Sequence, residues 1–179
     1  MNRMLCTFII LPYHYLLKKM RSKKTINHAE ALEKARKLCS AEEKCLYDVR
    51  KKLFDWGVNS GDTEKIINQL VADKFIDEWR FARLFAGGKF RNNRWGKIKI
   101  SCELVRKNIA KNIIEDALSR IDEDEYIQVL KRELVKKQKS ISAEDDWQLK
   151  AKLHRYASSK GYENDLINQV LDSMIAISS

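Results

Sequence analysis

The residue types that most often carry catalysis or bind metals are few in this chain and widely separated. There is no Cys-x-x-Cys pair, and no histidine has a second ligand at metal-binding spacing on one helix. The histidines and cysteines are His14, His28, His154, Cys6, Cys39, Cys45 and Cys102. The chain also lacks a G-x-x-x-x-G-K-[ST] loop and a G-x-G-x-x-G turn, which are the usual phosphate cradles of nucleotide-binding proteins. We therefore expect a protein that is not an enzyme, with no cofactor, no metal and reduced thiols.

Positive charge, in contrast, is concentrated in one stretch. Between Phe75 and Asn112 there are ten Lys and Arg against three Asp and Glu, so this stretch carries +7 of the net +10. Charge this localised predicts a polyanionic or acidic partner, not only a soluble surface. The proposed binding residues of the stretch are Lys89, Arg91, Arg94, Lys97, Lys99, Arg106 and Lys107. Trp95 lies among them; stacking on a nucleic-acid base is one interpretation, and packing at the edge of the core is the one we favour.

The pattern around these cations is helical, which predicts an all-α fold. One Pro and six Gly in 179 residues leave few breaks in the 3.6-residue period. The basic stretch itself reads as two helices joined by a tight connection, each with one apolar face. The predicted core residues of these two helices are Phe81, Leu84, Phe85, Ile100, Leu104 and Ile109.

Capping residues predict where several helices begin. Asp77 and Asp122 each precede a helical pattern, and Asp62 is placed to cap the helix that follows the Gly61 loop. Ser40 followed by Glu43 fits a capping box, so we predict a helix that starts there and runs to Trp56.

A repeat of about fifty residues orders the helices along the chain. Six apolar positions of the basic stretch and the helix after it, from Ile100 to Leu118, have apolar or aromatic counterparts 53 positions later. Three helices per period predict an elongated tandem array of three three-helix repeats, in which neighbours share a core. We place the repeats at residues 27–76, 77–121 and 122–179. At the same offset Lys97 and Lys99 correspond to Lys150 and Lys152, which join the proposed binding residues.

Residues 1–26 precede the repeats and form an extension. The apolar run Met4–Leu17 is too short to span a bilayer easily, and most of its flanking positive charges follow it, unlike those of a signal peptide. We interpret Met20 as the true start and residues 1–19 as upstream sequence; a membrane anchor is the alternative. We otherwise expect a cytoplasmic monomer without membrane association.

The basic stretch also resembles a specific family motif. Its residues are Asp77-Glu78-x-Arg80-Phe81-Ala82, the basic run, Trp95-Gly96, and Lys99-Ile100-x-x-Glu103-Leu104-x-x-Lys107-x-Ile109. With the three-unit layout from about residue 27 to 174, this resembles the RecX family. The chain departs from the family pattern at Ser101, where an Arg is usual, and at Asn108, where Gly is usual. Asn tolerates a left-handed helix cap nearly as well as Gly, so the second departure is mild.

The resemblance implies a modulator of the RecA recombinase. RecX-like proteins are elongated helical arrays that lodge in the groove of the RecA–DNA filament and restrain its ATPase and strand-exchange activities. On this resemblance the partners are a RecA-type recombinase filament and single- or double-stranded DNA, contacted through the basic face. Two other interpretations stay open: a direct nucleic-acid-binding regulator of the helix-turn-helix kind, and a helical scaffold for another acidic partner.

Overall fold

A computed structural model describes residues 26–176 of the chain, with side chains to residue 174. Over that range the regular structure consists of nine α-helices and no strand, which confirms the predicted fold class. The helices are α1 His28–Ala41, α2 Leu46–Asp55, α3 Ser60–Ala72, α4 Glu78–Asn93, α5 Lys97–Arg106, α6 Lys111–Ser119, α7 Glu123–Gln138, α8 Asp146–Lys160 and α9 Asn164–Ala176. The hypothesis that Met20 is the start falls outside the described residues.

Side-chain caps fix the first turn of five helices. The side chain of the residue before each helix accepts a backbone N–H three positions later, at 2.7–3.0 Å. The caps are Asn27, Asn59, Asp77, Asp122 and Asp145. The predictions for Asp77 and Asp122 are confirmed. The prediction for Asp62 is wrong, because its own N–H donates to Asn59, which begins the helix earlier.

The predicted capping box at Ser40 and Glu43 does not form. Helix α1 continues through Ser40 to Ala41, and α2 begins only at Leu46, after Cys45. Ala35 and Cys39 are buried at helical spacing, so packing of the α1 face extends the helix past the point where local capping would end it.

The helices form three units: a first unit (α1–α3), a second unit (α4–α6) and a third unit (α7–α9). Helix-to-helix packing is concentrated within each unit. The second and third units share one hydrophobic core, as a tandem array requires. The first unit encloses a core of its own, and of its described residues only Cys45 enters the shared core. The predicted sharing of a core is therefore found between the second and third units, whereas the first unit has a separate core.

Five of the six predicted core residues pack as expected. Phe81, Ile100, Leu104 and Ile109 are buried, and Phe85 is half-buried against the shared core; only Leu84, 57% exposed, contradicts the prediction. The buried face of α4 is formed instead by the alanines at positions 82 and 86 together with the aromatic rings. These small residues let α4 approach α6 closely. Because hydrophobicity scales rank Leu above Ala, the sequence pattern places the buried face of α4 wrongly by part of a turn.

The second and third units meet where the N-terminus of α5 faces the C-terminus of α8. Gly96 N–H donates to Lys160 O at 2.9 Å, and Ile98 N–H donates to Gly161 O at 3.1 Å. Groups that a helix end normally leaves unpaired are thus satisfied across the boundary. The approach needs glycine: a Cβ at position 96 would lie 2.1 Å from Gly161 O.

Ion pairs join the first unit to the second. Arg80 donates to both carboxylate oxygens of Glu43 at 2.8 Å. Lys107, at the end of α5, donates to both carboxylate oxygens of Asp48 at 2.7 and 2.9 Å. Ion pairs therefore predominate at the first boundary, whereas the second also has a shared apolar core and backbone hydrogen bonds.

Candidate nucleic-acid interface

The nine proposed binding cations divide into two groups by their partners. Four lie within 4.0 Å of a carboxylate, and among the described residues the other five have no such partner. The paired cations are Lys97, Arg106, Lys107 and Lys150; the unpaired ones are Lys89, Arg91, Arg94, Lys99 and Lys152. This division decides which of them can bind an anion without first losing an ion pair inside the protein.

Two of the paired cations hold units together. Lys107 is 23% exposed and bridges to Asp48 of the first unit, while Lys97 is 18% exposed and bridges to Glu123 of the third unit. The Lys97 ammonium also lies 4.8 Å from the centre of the Tyr126 ring. Lys107 and Asp48 are both shielded from solvent, at 23% and 25% exposed, so removing one would leave the charge of the other uncompensated. Glu123 is 71% exposed, so Lys97 is tied to the architecture through its own shielding and its contact with Tyr126.

Arg106 and Lys150 are paired in a different way. Arg106 bonds Glu103 one turn earlier at 2.6 Å, and Lys150 bonds Asp172 of α9 at 2.5 Å. Arg106 itself is 72% exposed. Exposed pairs of this kind are worth only about 0–1 kcal/mol, so these two cations can change partners at little cost.

The unpaired cations of the second unit gather where it meets the third. The ammonium groups of Lys89 and Lys99 lie 5.1 and 4.9 Å from the centre of the Trp95 ring. Trp95 is half-buried and packs on the shared core, in agreement with the packing interpretation. Lys99 donates to Ser159 O at 3.1 Å, a neutral acceptor that fixes the ammonium group without cancelling its charge.

The last turn of α4 and the connection to α5 carry the two arginines. Arg94 has φ +56°, the left-handed region that a non-glycine residue rarely occupies. Its N–H donates to Phe90 O at 3.1 Å, which closes the end of α4. Arg91 lies in the preceding turn, and its guanidinium covers Gly87. Both arginines are exposed.

One cation of the third unit completes this surface. Lys160 donates to Asn93 O at 3.4 Å across the boundary and is also without a carboxylate partner among the described residues. We call five cations at the end of α4, the α4–α5 connection, α5 and the facing end of α8 the junction face: Lys89, Arg91, Arg94, Lys99 and Lys160. They come from two units that share a core, so packing fixes their backbone positions relative to one another.

A buried hydroxyl of the third unit bonds the start of α5 in the second. Tyr126 OH accepts Lys97 N–H and donates to Glu163, both at 2.8 Å. Burial raises the pKa of Tyr126 well above its usual range, so the hydroxyl stays protonated and keeps donating to Glu163 at any physiological pH. The Tyr126 ring stands between Phe90 and Tyr162, with ring centres 5.7 and 5.0 Å away. This aromatic column joins α4, α7 and the segment after α8.

Comparison with known proteins decides the family. The family model described as RecX, second three-helix domain, matches residues 77–118, and that of the RecX third three-helix domain matches residues 123–171. The chain belongs to the RecX family. The two matches together cover just over half of the chain and coincide with the units whose contact forms the junction face.

Individual RecX proteins agree with this assignment. The chain is 34% identical over 135 residues to the regulatory protein RecX of Clostridium tetani, covering 74% of this chain and 60% of that protein. It is 31% identical over 133 residues to that of Clostridium acetobutylicum, covering 72% and 61%. The chain thus spans about three fifths of the length of these curated relatives.

Solved RecX structures share the fold. The crystal structure of RecX from Lactobacillus salivarius superposes with a TM-score of 0.75 at 19% identity, over 83% of this chain and 97% of that chain. A second crystal structure of regulatory protein RecX gives 0.75 and 19%, over 81% and 71%. No helix that the structure describes in this RecX-family chain is both long enough and apolar enough to cross a bilayer.

Sequence reasoning on this RecX-family chain missed Lys160, although the repeat contains the signal. Lys160 stands 53 positions after Lys107, and Gly161 stands 53 after Asn108, which has φ +59° where Gly161 has +88°. The two lysines thus occupy equivalent places at the ends of α5 and α8. Lys107 meets a carboxylate of the neighbouring unit, whereas Lys160 meets a backbone carbonyl, and only the assembled structure separates these outcomes.

Proposed function

We propose that this RecX-family protein binds the RecA–DNA filament and inhibits its ATPase and strand-exchange activities without catalysing a reaction, and so modulates recombination and DNA repair. The observation that carries the proposal is the junction face: five cations, none with a carboxylate partner among the described residues, held on two units that share a core. A surface of this kind binds a polyanion without first breaking internal ion pairs.

The physical role of the array is to present this face without rearrangement. The Gly96–Gly161 contact and the shared core hold the second and third units in register, so little conformational entropy is lost on binding. Contacts between lysine or arginine and DNA phosphates release counterions, which makes the affinity fall with salt. Several such contacts along a repeating polymer add up to useful affinity.

The alternative is a helix-turn-helix regulator that reads duplex DNA by itself. In such proteins the N-terminal residues of a recognition helix contact base edges in the major groove. Here the N-terminus of α5, the basic second helix of its unit, is covered by the end of α8 through Gly96 and Ile98. This coverage favours contact through phosphates and partner protein over insertion of α5 into a groove.

The test is single-stranded-DNA-dependent ATP hydrolysis by a RecA-type recombinase, titrated with this protein. The proposal expects the rate to fall at substoichiometric amounts, because one rigid array contacts several recombinase subunits. Binding to bare single-stranded and duplex DNA is measured at the same salt concentration to exclude competition for the strand. An unchanged rate together with tight duplex binding would replace the proposal with the helix-turn-helix alternative.

A pair of charge-reversal variants connects the activity to the junction face. R91E/R94E reverses two exposed cations of the face, and K51E/K52E makes the same change in charge on the first unit, at two exposed lysines outside any described ion pair. The proposal expects the first variant to lose at least tenfold in inhibitory potency, about 1.4 kcal/mol, and the control to lose much less. Equal losses would show that inhibition depends only on the net charge of the protein, and would contradict the assignment of the junction face as the binding surface.

A further inference from the structure

The third unit contains an open groove that the function proposed above does not use. It lies between the end of α7 and one side of α8 and has a volume of about 380 Å³. The residues that line it are Lys137, Ile141, Lys152, Arg155, Tyr156 and Ser159. Three of these six are cations and none carries a carboxylate.

The positive charge in the groove has no counter-charge on its lining residues. Lys152 donates to Ser142 O and to Gln148 Oε1, both at 2.8 Å, and both acceptors are neutral. The Lys137 ammonium lies 5.6 Å from the centre of the Tyr156 ring. Arg155 is exposed and forms no ion pair with any residue that the structure describes.

One carboxylate, Glu133, is bonded to a lining residue but does not itself line the groove. It accepts the Tyr156 hydroxyl at 2.9 Å, and burial together with this bond raises the pKa of Tyr156 to about 12. The hydroxyl therefore remains a donor to Glu133 at neutral pH. Glu133 keeps its negative charge, but the three lining cations outnumber it, so the groove has an excess of positive charge.

The groove is continuous with the junction face. Ser159 lines the groove, and its carbonyl accepts the Lys99 ammonium from the second unit at 3.1 Å. The next residue, Lys160, belongs to the junction face, and its ammonium lies 5.8 Å from the same Tyr156 ring that Lys137 covers. Cations without carboxylate partners thus follow one another from the α4–α5 turn, across the unit boundary, to the far side of α8.

We propose that this groove is a phosphodiester-binding subsite, which extends the path of a DNA strand from the junction face onto the third unit. The inference rests on the proposed function in that it takes the junction face to contact DNA. A guanidinium fork and two ammonium groups match the oxygens of phosphate, for which Arg offers a bidentate contact and Lys a point charge. Such contacts position a strand without reading its sequence.

DNA suits this row of cations better than an acidic protein segment does. A nucleic-acid backbone carries one negative charge on every residue, so it can follow an uninterrupted row of cations across a unit boundary. The charges of an acidic peptide sit on flexible side chains that must each be ordered on binding. An acidic peptide is therefore the competing occupant that the experiment must exclude.

The test compares two double variants of the full chain by fluorescence anisotropy with a labelled twenty-nucleotide oligothymidylate. K137Q/R155Q removes two groove cations, and R132Q/K136Q removes one Arg and one Lys from exposed positions of α7 outside the groove. Lys152 is left unchanged because it holds the loop through Ser142. R155Q alone, at an exposed site, is the second variant should the pair alter the far-ultraviolet circular dichroism.

The expected result is a change in salt dependence as well as in affinity. Each single-strand phosphate contact contributes about −0.7 to the slope of log Kobs against log salt, so the groove variant should be less steep by about 1.4. R155Q alone should lose about 0.7, and the control variant should keep the wild-type slope. Equal slopes for the groove and control variants would overturn the subsite.

A competition experiment separates the two possible occupants. Unlabelled polyglutamate of matched charge is titrated against the labelled oligothymidylate, and its direct binding to both variants is measured. Groove substitutions that weaken polyglutamate binding but leave the DNA slope unchanged would overturn the DNA assignment in favour of an acidic protein segment. The ATPase assay is run in parallel. If the wild-type protein does not inhibit ATP hydrolysis, the proposed function is refuted, whereas the anisotropy slopes decide the subsite.

Discussion

Gly96→Ala is expected to disrupt the contact between the second and third units with the addition of one methyl group. Gly96 has φ −77°, which alanine adopts without strain, so the effect arises only from space. The added Cβ would meet Gly161 O at 2.1 Å, Gly161 C at 2.3 Å and Tyr162 N at 2.4 Å, all of them backbone atoms. No side-chain rotation can relieve these contacts, and α5 and α8 have to separate by about 1 Å or more.

The size of the effect follows from what that separation breaks. The two backbone hydrogen bonds across the boundary, Gly96 N–H to Lys160 O and Ile98 N–H to Gly161 O, contribute about 0.5–1.5 kcal/mol each. Forcing a methyl group into a close-packed contact costs a further 1–3 kcal/mol or so. Since partial relaxation lowers the total, we expect a loss of roughly 2–4 kcal/mol in the free energy of unfolding. The bond from Lys99 to Ser159 O lies in the same contact, so the junction face should also be altered.

The assay is urea unfolding followed by far-ultraviolet circular dichroism, with filament ATPase inhibition measured on the same samples. Gly88→Ala is the matched control, because a Cβ at that position in α4 meets no atom within 4 Å. The control should gain up to about 1 kcal/mol, since alanine is the better helix former. If Gly96→Ala were as stable as Gly88→Ala and inhibited equally well, the close approach of α5 and α8 would not support the junction face, and the reasoning would be refuted.

Three further predictions test other parts of the structure. Phe81→Ala should cost about 3–5 kcal/mol of unfolding free energy, whereas Leu84→Ala, at an exposed site, should cost less than about 1; similar values in urea denaturation would contradict the assignment of the α4 face. Arg94→Gly should relieve a left-handed backbone while removing a cation. The unfolding free energy should therefore stay within about 1 kcal/mol of the wild-type value while DNA affinity falls. A fall in both stability and DNA affinity would mean that Arg94 has a structural role. Asp116→Asn should destabilise the protein at pH 7, because bonds from Arg83 and then Arg120 hold the Asp116 pKa at about 2. As the pKa is lower in the folded state, this contribution is present above about pH 4 and disappears as pH falls towards 2, where urea curves of the variant and wild type should converge.

The fold was predictable from the sequence because its signals are local and repeated. Helix periodicity, the caps at Asp77 and Asp122 and the offset of 53 residues all come from interactions within one helix or one unit. The Ser40 prediction failed because it relied on a local signal alone. A capping box is a local preference worth about 1 kcal/mol, and burial of Ala35 and Cys39 on the extended α1 face outweighs it.

The binding site was predictable only in outline, because pairing between units is not a local property. The sequence identified the basic stretch, and five of the nine cations proposed from the stretch and its repeat have no carboxylate partner among the described residues. It could not separate Lys99 from Lys97, two positions apart on α5. Lys97 meets Glu123, which lies 26 residues away, and Lys99 meets the Ser159 carbonyl, which lies 60 residues away. Such contacts depend on how units dock.

The net charge of the basic stretch therefore overstates the positive charge that is available to a binding partner. Lys97 and Lys107 contribute to the +7 of the basic stretch, yet each is already matched by a carboxylate of a neighbouring unit, Glu123 or Asp48. Reversing either lysine would set two negative charges face to face at a unit boundary, so a loss of binding would be confounded with a loss of structure. Arg91 and Arg94 are free of that coupling. A substitution that abolishes filament inhibition without changing the melting temperature is therefore expected among the cations of the junction face. Arg91→Glu should behave in this way, whereas Lys97→Glu should also lower the melting temperature.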